Sequence, residues 1–350
     1  MNNISSIYGD YQFPRLSLLK NNLTGASFHL MKLAPAIHII EKAEKKGYLK
    51  KGDTIIETTS GTFGLALAMC AIIKNYKLIL VSDPAIDTNL YKRLRELNVD
   101  IRIVEKESNN LGFQELRLEI LKNILTENPN YYWPNQYDNY WNTEAYFKIS
   151  DYISENTEKI DCIIGPVGSG GSMSGIVGRY REKYNPSVKS FGVDTNNSVL
   201  FGQQNGKRVL RGLGNSLMPK NLNHSLFDYV SWIDAKSSFE YTRELHNKYG
   251  LFLGPTSGAA YGVANWYSEK NPKEKILVIF PDEGNRYIES VYNDSWITEN
   301  FGLNNFNTNE LNSPVRIKSL KEAAHYYWSY IEWNRRILDD VKVDSKHEQS

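Results

Sequence analysis

From Asp53 onward, short apolar runs bounded by turn residues alternate with longer stretches whose apolar positions recur every three or four residues. The runs Thr54 to Glu57, Leu78 to Val81, Ile101 to Val104, Cys162 to Gly165, Lys189 to Val193 and Ile276 to Phe280 predict buried strands. Ala34 to Lys46, Thr62 to Lys74 and Leu90 to Leu97 predict helices. Strands separated by helices form a mostly parallel sheet covered on both faces, so the fold class is α/β. An Asn- and Tyr-rich stretch, Asn128 to Tyr146, is expected to cross between two such α/β units. Beyond Asn300 the chain turns polar. Leu320 to Leu338, with Tyr326, Tyr327, Trp328 and Trp333, then predicts a tail helix, and Asp344 to Ser350 is expected to be disordered.

Composition narrows the range of partners. The 41 basic and 40 acidic side chains nearly cancel, which leaves no strong field to hold a nucleic-acid backbone or an anionic membrane. Small molecules are the expected partners. No run approaches the ~20 apolar residues of a membrane span, and Met1 to Tyr11 lacks the basic-then-apolar order of a leader. Cys70 and Cys162 have no metal-type spacing and read as small core residues, so no metal is expected and the protein is placed in the cytoplasm.

The glycines cluster just after predicted strands, where open α/β sheets bind ligands. Gly168-Ser169-Gly170-Gly171-Ser172-Met173-Ser174-Gly175 follows the strand ending at Gly165. Glycines let backbone N–H groups converge, and the next helix adds the positive end of its dipole, so the loop suits a phosphate. It has neither the lysine of a Walker-type loop nor the glycine order of a dinucleotide turn. Thr58-Thr59-Ser60-Gly61-Thr62-Phe63-Gly64 places hydroxyls and N–H groups at another helix start, which suits a carboxylate and equally an N-cap.

The two loops, in this order, resemble those of the cysteine synthase and cystathionine β-synthase family of fold type II pyridoxal-phosphate enzymes. Thr59 to Gly64 is similar to the family's T-S-G-N-T-G loop, Gln136 to Asn142 to its Q-x-x-N-x-x-N segment, and Gly168 to Ser172 to its G-T-G-G-T phosphate cup. Phe13 to Leu16, Arg211 to Gly214, Gly254 to Ala260 and Pro281 to Tyr287 resemble four further blocks. The resemblance spans about Pro14 to Tyr287. It implies two lobes, each a mostly parallel sheet with helices on both faces, as in the tryptophan synthase β chain. Residues 1–46 with 148–300 would form the large cofactor-binding domain, 47–147 a smaller mobile substrate domain, and 301–350 a C-terminal extension; the family also implies a homodimer.

The same resemblance implies pyridoxal 5'-phosphate as cofactor and β-replacement on an O-activated L-serine (O-acetylserine or O-phosphoserine) through an aminoacrylate, giving cysteine or a diaminopropionate-type amino acid. β-Elimination on the same fold, and a degenerate scaffold acting through a partner, stay open. Lys32, in register with the helix ending Ile39-Ile40-Glu41-Lys42-Ala43-Glu44, is identified as the Schiff-base lysine, with Lys20 as its rival. An apolar setting between Met31 and Leu33 favours its neutral form. Gly168, Ser169, Gly170, Gly171 and Ser172 would seat the phosphate. Thr59, Ser60, Gly61, Phe63 and Gln136 would hold the substrate carboxylate. Thr62 stands where the family has an asparagine toward the cofactor's 3′ oxygen, and Asp282-Glu283 where it has a serine toward the pyridine nitrogen. A carboxylate there favours a protonated ring. The family's N-P-x-G-S-x-K-D-R segment is replaced by Ser27 to Pro35. Arg208 and Arg211 are either receivers of an anionic leaving group or surface cations. His29 and His38 are either proton carriers near Lys32 or packed side chains.

Overall fold

The computed structural model describes residues 8–105, 112–210, 212–302 and 313–347 and contains two sheets. The strands are β1 (Arg15–Lys20), β2 (Leu23–Ser27), β3 (Thr54–Thr58), β4 (Lys77–Ser82), β5 (Asp100–Ile103), β6 (Cys162–Pro166), β7 (Lys189–Asp194), β8 (Tyr229–Ile233), β9 (Ile276–Phe280), β10 (Val315–Arg316) and β11 (Trp328–Glu332). The helices are α1 (Leu33–Lys45), α2 (Thr62–Lys74), α3 (Thr88–Glu96), α4 (Phe113–Glu127), α5 (Tyr140–Glu144), α6 (Phe147–Asn156), α7 (Gly171–Lys183), α8 (Ala235–Tyr249), α9 (Pro255–Lys270), α10 (Asp294–Phe301) and α11 (Leu338–His347).

The larger sheet has the order β1-β2-β9-β6-β7-β8-β11-β10 and the smaller the order β3-β4-β5. From β2 to β8 the larger sheet is parallel; β1 and β11 each pair antiparallel with their inner neighbours. The smaller sheet is parallel throughout. The continuous apolar run of β9 is explained by burial on both sides. Leu277 and Ile279 join Ile163, Met173 and Ile176 on the α7 face, while Ile276, Val278 and Phe280 join Ile164, Ala260 and Val263 on the α9 face. In the smaller sheet Ile55 packs with residues of α1 and α2, and Ile56, Ile79 and Val81 pack with Leu116, Leu121 and Ile124 of α4.

All six predicted strand runs are strands, and the three predicted helices occur within two residues of their expected bounds. The expected tail helix from Leu320 to Leu338 is corrected. Trp328–Glu332 is strand β11, paired antiparallel with β8, and the helix begins only at Leu338. Asn334 and Arg335, at φ of +54° and +58°, break any helical run between them. Helix α11 continues through His347, into the segment expected to be disordered, while 348–350 lie outside the described residues. Cys70 and Cys162 are buried and free. Among the described residues no helix is long and apolar enough to cross a membrane, and no cluster of metal-ligating side chains occurs.

Candidate active site

Lys32 owes its position to the seam between β2 and β9. After β2 ends, Phe28 and Met31 donate backbone bonds to Phe280 and Pro281, and Leu30 bridges to Asp282. The chain then turns into α1 with Lys32 as its cap residue. Its side chain enters a cavity of about 690 Å³ and donates to Ser169 Oγ at 3.1 Å. Burial removes water from the ammonium, which lowers the lysine from 10.5 to about 8. The rival Lys20 pairs with Glu269 and takes no part in the cavity.

The loop after β6 supplies Gly168, Ser169 and Ser172 to the cavity wall. Helix α7 begins at Gly171 with no side chain capping its N–H groups, so those donors are available to an anion. Gly170 and Gly171 do not line the cavity; they pack behind it. Gly170 has φ +79°, and a Cβ there would stand 2.6 Å from Leu222 Cα; a Cβ on Gly171 would stand 2.5 Å from Asn142 Oδ1. Their lack of side chains is therefore required by packing as much as by any ligand.

Across the cavity, β3 delivers Thr59, Ser60, Gly61, Thr62 and Phe63 to the wall at the start of α2, where again no side chain caps the helix. Gln136 and Tyr137 approach from the Asn-rich crossing segment. The Gln136 carbonyl accepts from Asn142 Nδ2 at 2.6 Å and Asn221 Nδ2 at 2.8 Å, and its N–H donates to Glu57 Oε2 at 3.2 Å. Glu57 also accepts from the Thr58 N–H and from Trp133 Nε1. Its burial raises the carboxyl to about 7, against the opposing pull of those hydrogen bonds.

The two candidate carboxylates after β9 diverge. Asp282 lines the cavity; Tyr287 OH donates to its Oδ2 at 2.9 Å, and its buried Oδ1 has no hydrogen-bond partner among the described residues. Burial raises it to about 6. Glu283 turns away to Arg15 at 2.7 Å and His29 at 2.9 Å, and is not part of the cavity lining. His38 lies against Glu144 at 3.3 Å, and neither histidine lines the cavity. Arg208 does line it, with its guanidinium held by Ser216 Oγ and the Asn197 carbonyl. Arg211 lies outside the described residues.

Sequence reasoning passed over Asp83, Arg117 and Tyr137. Arg117 on α4 is 5% exposed, meets Asp83 at 3.0 Å inside the cavity wall, and leaves Nε without a hydrogen-bond acceptor among the described residues. The signal was present. Arg117, Leu121 and Ile124 fall at i, i+4 and i+7 and share the buried face of α4, so an arginine occupies an apolar position. Glu57, a lone carboxylate inside the apolar run of β3, is a second such signal.

The neutral amine that burial favours at Lys32 suits imine formation with an aldehyde, and the uncapped start of α7 beside it suits a phosphate, the two needs of an enzyme whose cofactor is a phosphorylated aldehyde. The pyridoxal-phosphate dependent enzyme family matches residues 19–282, and the chain belongs to that family. It is similar to N-(2-amino-2-carboxyethyl)-L-glutamate synthase of Cupriavidus metallidurans, at 32% identity over 291 residues, 81% of this chain and 83% of that protein. Among solved structures it is similar to a hydrogen sulfide-producing enzyme of Fusobacterium nucleatum (29% identity, TM-score 0.72, 78% of this chain and 96% of that one). An O-ureido-L-serine synthase shares the fold at 22% identity and a TM-score of 0.73, over 82% of this chain and 95% of the other.

Proposed function

We propose that the protein catalyses β-replacement on an O-activated L-serine, with the amino group of a dicarboxylic amino acid such as glutamate as the incoming nucleophile. The observation that carries this reading is Arg117, a buried guanidinium in the wall of the lysine's own cavity. Sulfide has no carboxylate to occupy such a group, whereas an amino-acid nucleophile does. The relative at 32% identity is a synthase of a glutamate derivative.

Lys32 is assigned to carry the cofactor. The N–H groups opening α7, with Ser169 and Ser172, would hold its phosphate, and Asp282 and Thr62 would face the ring. Bound there, the cofactor supplies an electron sink for charge at the substrate α-carbon. Thr59 to Phe63 and Gln136 hold the α-carboxylate of the first substrate, using the first N–H groups of α2 and the Gln136 amide. Lys32 Nζ, near neutrality at about pH 8, takes the α-proton and later returns it. Residues 47–147 form the lobe that closes to exclude water, and the enzyme works as a homodimer in the cytoplasm.

The test is direct. Protein loaded with pyridoxal phosphate is incubated with O-acetyl- or O-phospho-L-serine and with glutamate, aspartate or sulfide in parallel, and products are read by mass. A glutamate or aspartate adduct linked through nitrogen is expected; turnover with sulfide alone would refute the proposal.

A further inference from the structure

The family match ends at residue 282, yet the chain beyond it is built into the same sheet. β11 extends β8, and the turn after it buries Trp333 completely. The indole packs edge-on against Phe201 at 5.3 Å and stacks on His224 at 5.8 Å, while its Nε1 donates to the Arg336 carbonyl. His224 Nε2 in turn reaches the Leu200 carbonyl at 2.7 Å. One turn further on, Leu338 lies over Gly202, where an added Cβ would be 3.2 Å from Leu338 Cδ1.

Leu200, Phe201 and Gly202 are the root of a loop whose tip returns to the active site. Asn205, Gly206, Lys207 and Arg208 line the cavity, and all but Arg208 are exposed, so this tip is the mouth of the site. The tip is tied back to Asn197, three residues before Leu200: Gly206 N–H donates to the Asn197 carbonyl at 3.1 Å, and Asn197 Nδ2 to the Lys207 carbonyl at 3.1 Å. Asn197 and Leu200 lie within one turn of chain of each other, so a displacement at Leu200 to Gly202 is carried through the backbone to Asn197 and, by these two hydrogen bonds, to the mouth.

From this arrangement we infer that the C-terminal extension positions the mouth loop, and through Trp333 and Leu338 sets the affinity for the second, nucleophilic substrate. The first substrate reacts beside Lys32 on the buried floor, which leaves the mouth to the molecule that enters after it. Lys207 and Arg208 give that mouth positive charge, suited to the carboxylates of an amino-acid nucleophile. The choice of nucleophile rests on the function proposed above; the role of the extension does not.

Full-length Leu338→Ser and Trp333→Phe, loaded with cofactor, separate these claims. Leu338 is only half-buried, so Leu338→Ser is compatible with folding. It is expected to raise KM for the nucleophile about tenfold, with KM for the O-activated serine, kcat and the visible spectrum of the cofactor unchanged. Trp333→Phe, which keeps an aromatic ring against Phe201 but loses the Nε1 bond to the Arg336 carbonyl, should raise the same KM about threefold; an unchanged value would remove Trp333 from the device. An unchanged nucleophile KM in Leu338→Ser, or parallel loss of both KM values and cofactor affinity in step with thermal stability, would overturn the inference. Should the wild type accept sulfide and no amino acid, the proposed reaction fails, and the same KM comparison made with sulfide still decides the role of the extension.

Discussion

Arg117 Nη1 stands 3.0 Å from Asp83 Oδ2 with both side chains withdrawn from solvent at 7% and 5% exposure. Asp83 Oδ1 is already engaged by the Ala85 N–H, so the pair is fixed from the Asp83 side, while Arg117 Nε has no acceptor among the described residues. Arg117→Ala leaves a buried carboxylate alone and is expected to cost about 3–5 kcal/mol of stability. Arg117→Lys keeps the charge but loses the planar fork, so it should fold and raise KM for the amino-acid nucleophile by about 10–100-fold. Calorimetry and steady-state kinetics on the two variants separate these effects; an unchanged KM in Arg117→Lys removes the guanidinium from the binding site.

The burial of Lys32 has a pH signature. Its folded value of about 8 lies below the ordinary 10.5, so covalent attachment of the cofactor, which needs the neutral amine, should speed up as pH rises through about 8. Between those two values the unfolded chain holds a proton that the folded chain has released. Stability relative to Lys32→Met should therefore rise with pH from about 8 to 10.5. Stopped-flow attachment rates and urea titrations across this range check both signs. Lys32→Met should also abolish the visible absorbance of the cofactor-loaded protein.

For Glu57 the sign is opposite. The folded carboxyl titrates near 7 and the unfolded one near 4.5, so the folded chain holds the extra proton in between and stability falls as pH rises through that window. The limit is ~3 kcal/mol from a shift of this size. Glu57→Gln should flatten the slope. A melting-temperature profile from pH 4 to 8 in wild type and variant is the measurement, and coincident slopes would place the titration elsewhere.

Gly171→Ala tests the packing behind the phosphate loop. Its Cβ would press on Asn142 Oδ1 at 2.5 Å, and Asn142 is one of the two side chains that donate to the Gln136 carbonyl, at 2.6 Å. A loss of about 1–3 kcal/mol in stability and a raised KM for the O-activated serine are expected together. Lost cofactor affinity with KM unaltered would show that the glycine serves the phosphate alone.

What the sequence disclosed and what it withheld divide along physical lines. β9 and β6 are legible because strands buried on both faces carry unbroken apolar runs. β11 is not, since Trp328 to Glu332 mixes aromatic, polar and charged residues that suit a helix equally well; only pairing with β8 decides. Lys32 and the two glycine loops could be found because they are local. Arg117 and Asp83 form a pair only when α4 folds against the end of β4, so neither residue alone marked the cavity. Asp282 and Glu283 are adjacent in sequence, and backbone alternation at the end of β9 sends one inward and the other to Arg15.

The sheet order also bears on how the protein avoids sticking to itself. An open eight-stranded sheet exposes two rows of unpaired backbone groups, which are templates for unwanted strand addition. One edge here is β1, whose register slips between Leu18 and Lys20 and which carries Arg15 and Lys20. At the opposite side the extension covers β8 with β11 and then stops at β10, which is two residues long and exposed. Without the last forty residues the terminating strand would be β8, five residues long with Val230, Trp232 and Ile233 in its run. The extension thereby exchanges an aggregation-prone border for one too short to recruit another chain.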